Sequence, residues 1–143
     1  MVNSKKINIG ISIGDPNGIG IEIILKALSE SNFHEECNFI IYSSLDLIVK
    51  QKDLLKIKTL PLKKIHSVDE IESDQINIKE VFSNSKFEFG KKDKEVSARG
   101  IISFKEAVND AVKREIDVLI SAPINKELAY SNTFKFSGHT DYL

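Results

Sequence analysis

The feature that most constrains this chain is a short alternating run that ends in a cluster of glycines. Ile7, Ile9, Ile11 and Ile13 alternate with Asn8, Gly10 and Ser12, the two-residue period of a β-strand. Small residues between the isoleucines suit a strand covered on both faces, the usual situation in a parallel sheet. Gly14-Asp15-Pro16-Asn17-Gly18-Ile19-Gly20 ends the run. From there Ile19, Ile23, Ile24, Ala27 and Leu28 follow helical spacing, and Glu22 sits in the first turn, where the helix dipole favours an acid. Strand, glycine turn and helix make the opening unit of an α/β fold.

The rest of the chain continues in the same manner. Phe39-Ile40-Ile41-Tyr42 reads as a buried strand, Ser43-Ser44 as a helix cap and Leu45 to Lys50 as a short helix. Between Leu54 and Phe89 the pattern predicts short strands at Lys63 to Ile65, Ile76 to Ile78 and Phe87 to Phe89, separated by polar turns, with Gly90 to Glu95 a charged loop. From Ser97, the positions Ile101, Phe104, Val108, Ala111 and Val112 form one apolar helical stripe. A strand is expected at Val118 to Ser121, a turn at Ala122 to Lys126 and a short helix at Glu127 to Tyr130. With no internal repeat or linker, residues 1–143 read as a single α/β unit.

Composition narrows the function classes. The 143 residues are 41% hydrophobic, enough to build a core. Twenty basic residues balance twenty-one acidic ones, so no global field draws in nucleic acid or an anionic membrane. The lone Cys37 excludes an internal disulfide and fits a reducing compartment, so the cytoplasm is expected. Lys5-Lys6 and the isoleucine run imitate a signal peptide, but Gly14 to Asn17 ends the apolar stretch and no small-residue cleavage site follows. No apolar stretch approaches the roughly 20 residues that span a bilayer.

Three constellations carry chemistry. The glycine turn admits unusual φ angles and close backbone approach, and a helix beginning there offers free N–H groups to an anion. Its spacing is neither the dinucleotide fingerprint nor a Walker loop. Two readings stand: a tight turn capped by Asp15, or an anion site in which Asp15 orients a polar substrate group. The second constellation, Ser121-Ala122-Pro123-Ile124-Asn125-Lys126, lies just past a strand's carboxyl end, where ligand sites of open α/β sheets fall. There Lys126 is either a charge for phosphate or carboxylate, or one more solvated lysine. The third is Gly138-His139-Thr140-Asp141, where imidazole and hydroxyl can both donate to one anion; the alternative is a tail residue. His34, His66 and His139 are too dispersed for a metal centre, so no metal ligands are assigned within the chain.

Taken in this order and separation, the three segments resemble the 4-hydroxythreonine-4-phosphate dehydrogenase family of pyridoxal phosphate (vitamin B6) biosynthesis. The family pattern Gly-Asp/Glu-Pro-Ala-Gly-Ile-Gly-Pro-Glu is matched by Gly14 to Glu22, Thr/Ser-x-Pro-Ile-Asn-Lys by Ser121 to Lys126, and Gly-His-Thr-Glu by Gly138 to Asp141. Asn17 stands in place of the usual alanine, Ile21 of proline and Asp141 of glutamate. The resemblance implies an α/β fold like that of isocitrate and isopropylmalate dehydrogenases, here the N-terminal part of a longer dehydrogenase with a mixed sheet and flanking helices. It implies oxidation of 4-phosphooxy-L-threonine with NAD and a divalent metal (Zn, Mg or Co), decarboxylation to 3-amino-2-oxopropyl phosphate, and a homodimer when full length. His139 and Thr140, assisted by Lys126, correspond to substrate contacts, and with Asp15 they complete the candidate substrate-binding set. Metal ligands and most of the nicotinamide site fall outside this chain, which is expected to be inactive alone. Two alternatives remain open: a paralogue acting on phospho-threonate or phospho-erythronate, and a non-catalytic phosphate-binding module.

Overall fold

The alternation of the opening run separates two layers of packing. In the computed structural model, which describes residues 4–30, 32–129 and 143, strand β1 spans Ile7–Ser12. Ile9, Ile11 and the following Ile13 pack into one core with helices α1 (Gly20–Glu30) and α2 (Leu45–Leu54). Strand β2 (Cys37–Ser43) divides its residues in the same way. Phe39 and Ile41 enter the α1–α2 core, whereas Ile40 and Tyr42 meet Ala107 of helix α3 (Lys94–Val112) on the opposite face. Period-2 side chains thus place helices on both faces of the sheet, the α/β architecture expected of the sequence.

Strands β3 (Leu62–Ile65), β4 (Ile76–Glu80) and β5 (Val118–Ser121) complete a sheet of order β3-β4-β2-β1-β5. Ile11 of β1 lies opposite Ile41 of β2 and Ile120 of β5. The expectation of a mixed sheet is corrected: each pairing among the described strands is parallel, because every connection returns the chain to the same end before the next strand begins. α3 makes the longest of these returns, carrying the chain from β4 past β2 and β1 to the far edge.

Three local expectations change. Phe87 to Phe89 is not a strand. Arg99 and Asn17 take up the backbone groups of Lys86 and Glu88, while the Phe87 and Phe89 rings meet at a tilt of 58° with centroids 5.1 Å apart. The charged loop ends earlier than expected, since the Asp93 carboxylate accepts from the Glu95 and Val96 N–H groups and starts α3 at Lys94. A last short helix, α4, begins at Lys126 and runs to Ala129; Tyr130 lies outside the described residues. Among the described residues no helix is long and apolar enough to cross a membrane.

Among the described residues β5 is an edge strand, paired only with β1. Val118 and Ile120 are 43% and 47% exposed, and Ile120 with Ile23 of α1 borders an apolar groove of about 500 Å³. The opposite face holds a buried polar triad instead. The Asp110 carboxylate accepts from the Tyr42 hydroxyl at 2.8 Å and from the Lys79 ammonium at 2.6 Å, with Lys79 also 5.6 Å from the centre of the Tyr42 ring. Burial first, then the bond to Asp110, pushes the Tyr42 phenol well above its ordinary value, so it stays a neutral donor. Removing the carboxylate strands a shielded ammonium, since the Lys79 side chain is only 14% exposed. Asp110→Ala should therefore lower unfolding free energy by about 3–5 kcal/mol in urea titrations; a loss below about 1 kcal/mol would show that the triad contributes little.

Candidate functional site

The order of the strands creates the site. The chain leaves β1 for β2 on one side and later reaches β5 on the other. Loops following β1 and β5 therefore diverge around a crevice at the carboxyl ends of the strands, the location at which open α/β sheets bind ligands. The first two constellations of the sequence meet there. A cleft of about 340 Å³ is walled by residues 15 and 17–20 after β1, by 123–125 after β5, and by 90–92 from the segment before α3.

Close backbone contact shapes the floor. Gly14 has φ +69°, and a Cβ at this position would run into the Pro123 carbonyl oxygen. A Cβ on Gly100 of α3 would in turn run into the Gly14 carbonyl oxygen. Glycine is required at both places because the chains touch main chain to main chain. The Asp15 N–H donates to the Pro123 carbonyl at 3.2 Å, tying the two loops together.

Asp15 then organises the turn from within. One carboxylate oxygen accepts from the Asn17 N–H at 2.9 Å, and the other accepts from the Ser97 hydroxyl at 2.6 Å. Its carbonyl accepts from the Gly18 N–H at 2.9 Å. Both carboxylate oxygens are thus engaged inside the protein, in line with the capping reading of Asp15, although the residue also lines the cleft. From below, the Gln51 side-chain amide donates to the Pro16 carbonyl at 2.7 Å.

Asn17 carries the third wall and is only 5% exposed. Its side-chain oxygen accepts from the Glu88 N–H at 2.6 Å, its amide nitrogen donates to the Lys91 carbonyl at 2.8 Å, and its own carbonyl accepts from the Gly90 N–H at 2.9 Å. Lys91 and Lys92 follow on the rim. Their ammonium groups lie 3.3 Å from Glu88 and 3.6 Å from Glu127, pairs exposed enough to contribute little.

Of the sequence-predicted residues, Asp15 lies in the cleft and Lys126 stands exposed at the first position of α4, one residue past Asn125 in the wall. His139 and Thr140 lie outside the described residues. Sequence reasoning assigned no role of their own to Asn17, Lys91, Lys92, Ser97 and Arg99. The signal available was a Gly-Lys-Lys run at Gly90 to Lys92, but a charged loop gives no hint of which turn it folds over. Among the described residues no group of three or more His, Cys, Asp or Glu side chains is placed to hold a metal ion.

Residues 35–143 match the model of the family described as pyridoxal phosphate biosynthetic protein PdxA. A 4-hydroxythreonine-4-phosphate dehydrogenase of Sulfurihydrogenibium sp. is 32% identical over 137 residues, covering 96% of this chain and 42% of that protein. A Clostridium botulinum protein provisionally named D-threonate 4-phosphate dehydrogenase is 31% identical over 153 residues, covering 100% of this chain and 43% of its own length. The crystal structure of a 4-hydroxythreonine-4-phosphate dehydrogenase from Burkholderia phymatum superposes with a TM-score of 0.84 at 22% identity, covering 96% of this chain and 42% of that one, a likeness that speaks for the fold. The chain therefore spans less than half the length of the curated relatives it matches.

The floor of the cleft makes a direct prediction. Gly14→Ala adds a left-handed strain of about 1–2 kcal/mol to the collision with Pro123. It should lower stability by at least that amount in urea unfolding and broaden or shift the amide resonances of Asp15 and Pro123's neighbours; a neutral substitution would show that the two loops are not in backbone contact.

Proposed function

Because the chain belongs to the PdxA family of pyridoxal phosphate biosynthetic proteins, we propose that it supplies the phosphate-holding wall of a dehydrogenase acting on 4-phosphooxy-L-threonine. The observation that carries this reading is the convergence of residues 15–20 and 123–125, with Lys91 and Lys92, on one small cleft at the carboxyl ends of β1 and β5. Its volume of about 340 Å³ suits a small phosphorylated acid. Lysines on the rim and the free N–H groups that open any helix favour an anion.

The reaction is oxidation of the secondary alcohol with hydride passing to NAD, followed by loss of carbon dioxide to give 3-amino-2-oxopropyl phosphate, and a divalent metal (Zn, Mg or Co) supplies the polarisation of the hydroxyl. Among the described residues no group of three or more His, Cys, Asp or Glu is placed to hold a metal ion, and the part assigned to this chain is to bind and orient the phosphate end. Lys126, His139 and Thr140 are assigned to the same substrate. The remaining parts of the site belong to polypeptide of the kind that relatives carry beyond the matched region, and exposed Ile23, Val118 and Ile120 offer it an apolar face to pack on. A cytoplasmic homodimer with the site at the subunit interface completes the proposal.

The Clostridium botulinum relative favours a second reading, in which the substrate is D-threonate 4-phosphate. Both substrates carry the same phosphate end, so the cleft described here serves either. In amide-resolved titrations of the chain, 4-phosphooxy-L-threonine should shift the Gly18, Gly20 and Lys91 resonances, whereas 4-hydroxy-L-threonine should leave them unchanged. With NAD and a divalent metal the chain by itself should form no NADH. Equal shifts with the unphosphorylated compound would remove the phosphate assignment, and turnover by the chain alone would show that the catalytic groups lie within it.

A further inference from the structure

The segment before α3 enters the cleft with no strand or helix of its own to hold it. Residues 86–92 are instead pinned by two buried side chains from different elements. Asn17, 5% exposed, engages Glu88, Gly90 and Lys91 through its side-chain oxygen, its carbonyl and its side-chain amide. Arg99 of α3, 7% exposed, donates to the Lys86 carbonyl at 2.5 Å. The two anchors grip the segment at its start and its end, and Lys91 and Lys92 emerge beside the glycine turn.

We propose that Asn17 is a positioning residue that holds residues 86–92 as a preformed strap for an anion, with Lys91 and Lys92 as the groups that contact it. The inference rests on the phosphate reading of the cleft and adds the device that makes the cleft selective for charge. A lysine on a free loop must be ordered at the moment of binding, which costs affinity; one whose backbone is fixed in advance avoids that cost. An alanine at this position could make neither of the Asn17 side-chain bonds. Arg99 adds to the same end: among the described residues it takes part in none of the ion pairs. Its guanidinium adds positive charge beneath the strap.

Competing charges are few and weakly held. Glu88 and Glu127, the partners of Lys91 and Lys92, are 69% and 79% exposed in their side chains and readily give way to a dianion. Asp15, the carboxylate inside the cleft, is already occupied by Ser97 and Asn17.

The test is a double-mutant cycle on the 143-residue chain, with inorganic phosphate as probe and the Gly18 and Gly20 amide resonances as readout. Replacing both lysines (Lys91→Ala with Lys92→Ala) should weaken phosphate binding about tenfold, and Asn17→Ala by a similar factor. Combining all three should cost no more than about twofold beyond either alone, because lysines released from the strap no longer contribute. Losses that multiply, or either variant binding as tightly as the parent, would overturn the proposal, since a structural role for Asn17 predicts independence from the lysines. If Asn17→Ala fails to fold, Asn17→Ser takes its place in the cycle, since it keeps a polar group but lacks the amide that bridges Glu88 and Lys91. If the parent chain itself leaves Gly18 and Gly20 unshifted by phosphate, the phosphate reading of the cleft falls first, and the strap falls with it.

Discussion

Three stretches of main chain meet at Gly14 with no side chain between them. The Pro123 carbonyl approaches from the loop after β5, and Gly100 of α3 closes from the other face of the sheet. That contact fixes the direction in which the chain leaves β1, and with it the start of α1. It also explains why α3, which returns over β2 and β1 to reach β5, can dock close enough for Ser97 to hydrogen-bond Asp15. A side chain at either glycine would push the layers apart, and the cleft exists because they are not.

Several polar groups near that contact are tied to one another or to loop backbone. Asp15, Asn17, Gln51, Ser97 and Arg99 all spend hydrogen bonds on loop backbone or on each other. Each loop therefore arrives at the cleft with its shape settled, although neither the turn after β1 nor the segment before α3 is regular structure. Lysine ammonium groups on the rim and the backbone N–H groups that open a helix are suited to an anion, while Glu88 and Glu127 share the rim as exposed, weakly paired carboxylates. Division of labour between spent and available groups is what turns a junction of loops into a binding surface.

Much of the fold was legible because its signals are local. The Ile7 to Ile13 alternation, the glycine turn and the stripe from Ile101 to Val112 each report a period that the backbone must obey, and β1, α1 and α3 follow from them. Where reading failed, a distant partner decided. Phe87 to Phe89 has strand-like residues, but Asn17 lies close enough to capture the Glu88 N–H that a sheet would have used. Strand direction was misread for the same reason: nothing inside a strand of this length says whether its neighbour runs parallel. The three-segment resemblance located two walls of the cleft, while the third, at residues 90–92, carried no recognisable motif and became visible only through the bonds of Asn17.

By itself the sequence determined most of the strands and helices, that helices cover both faces of the sheet, and that a glycine turn ends β1 beside the cleft, since each depends on neighbours a few residues away. It also determined the family, through the order of short motifs. Only the tertiary structure decided that Asp15 is engaged within the turn, that Asn17 reaches across some seventy residues to hold Lys91, and that the strands are all parallel among those described. Those outcomes depend on where separate elements come to rest against one another, and packing of that kind is a property of the whole chain that no local window contains.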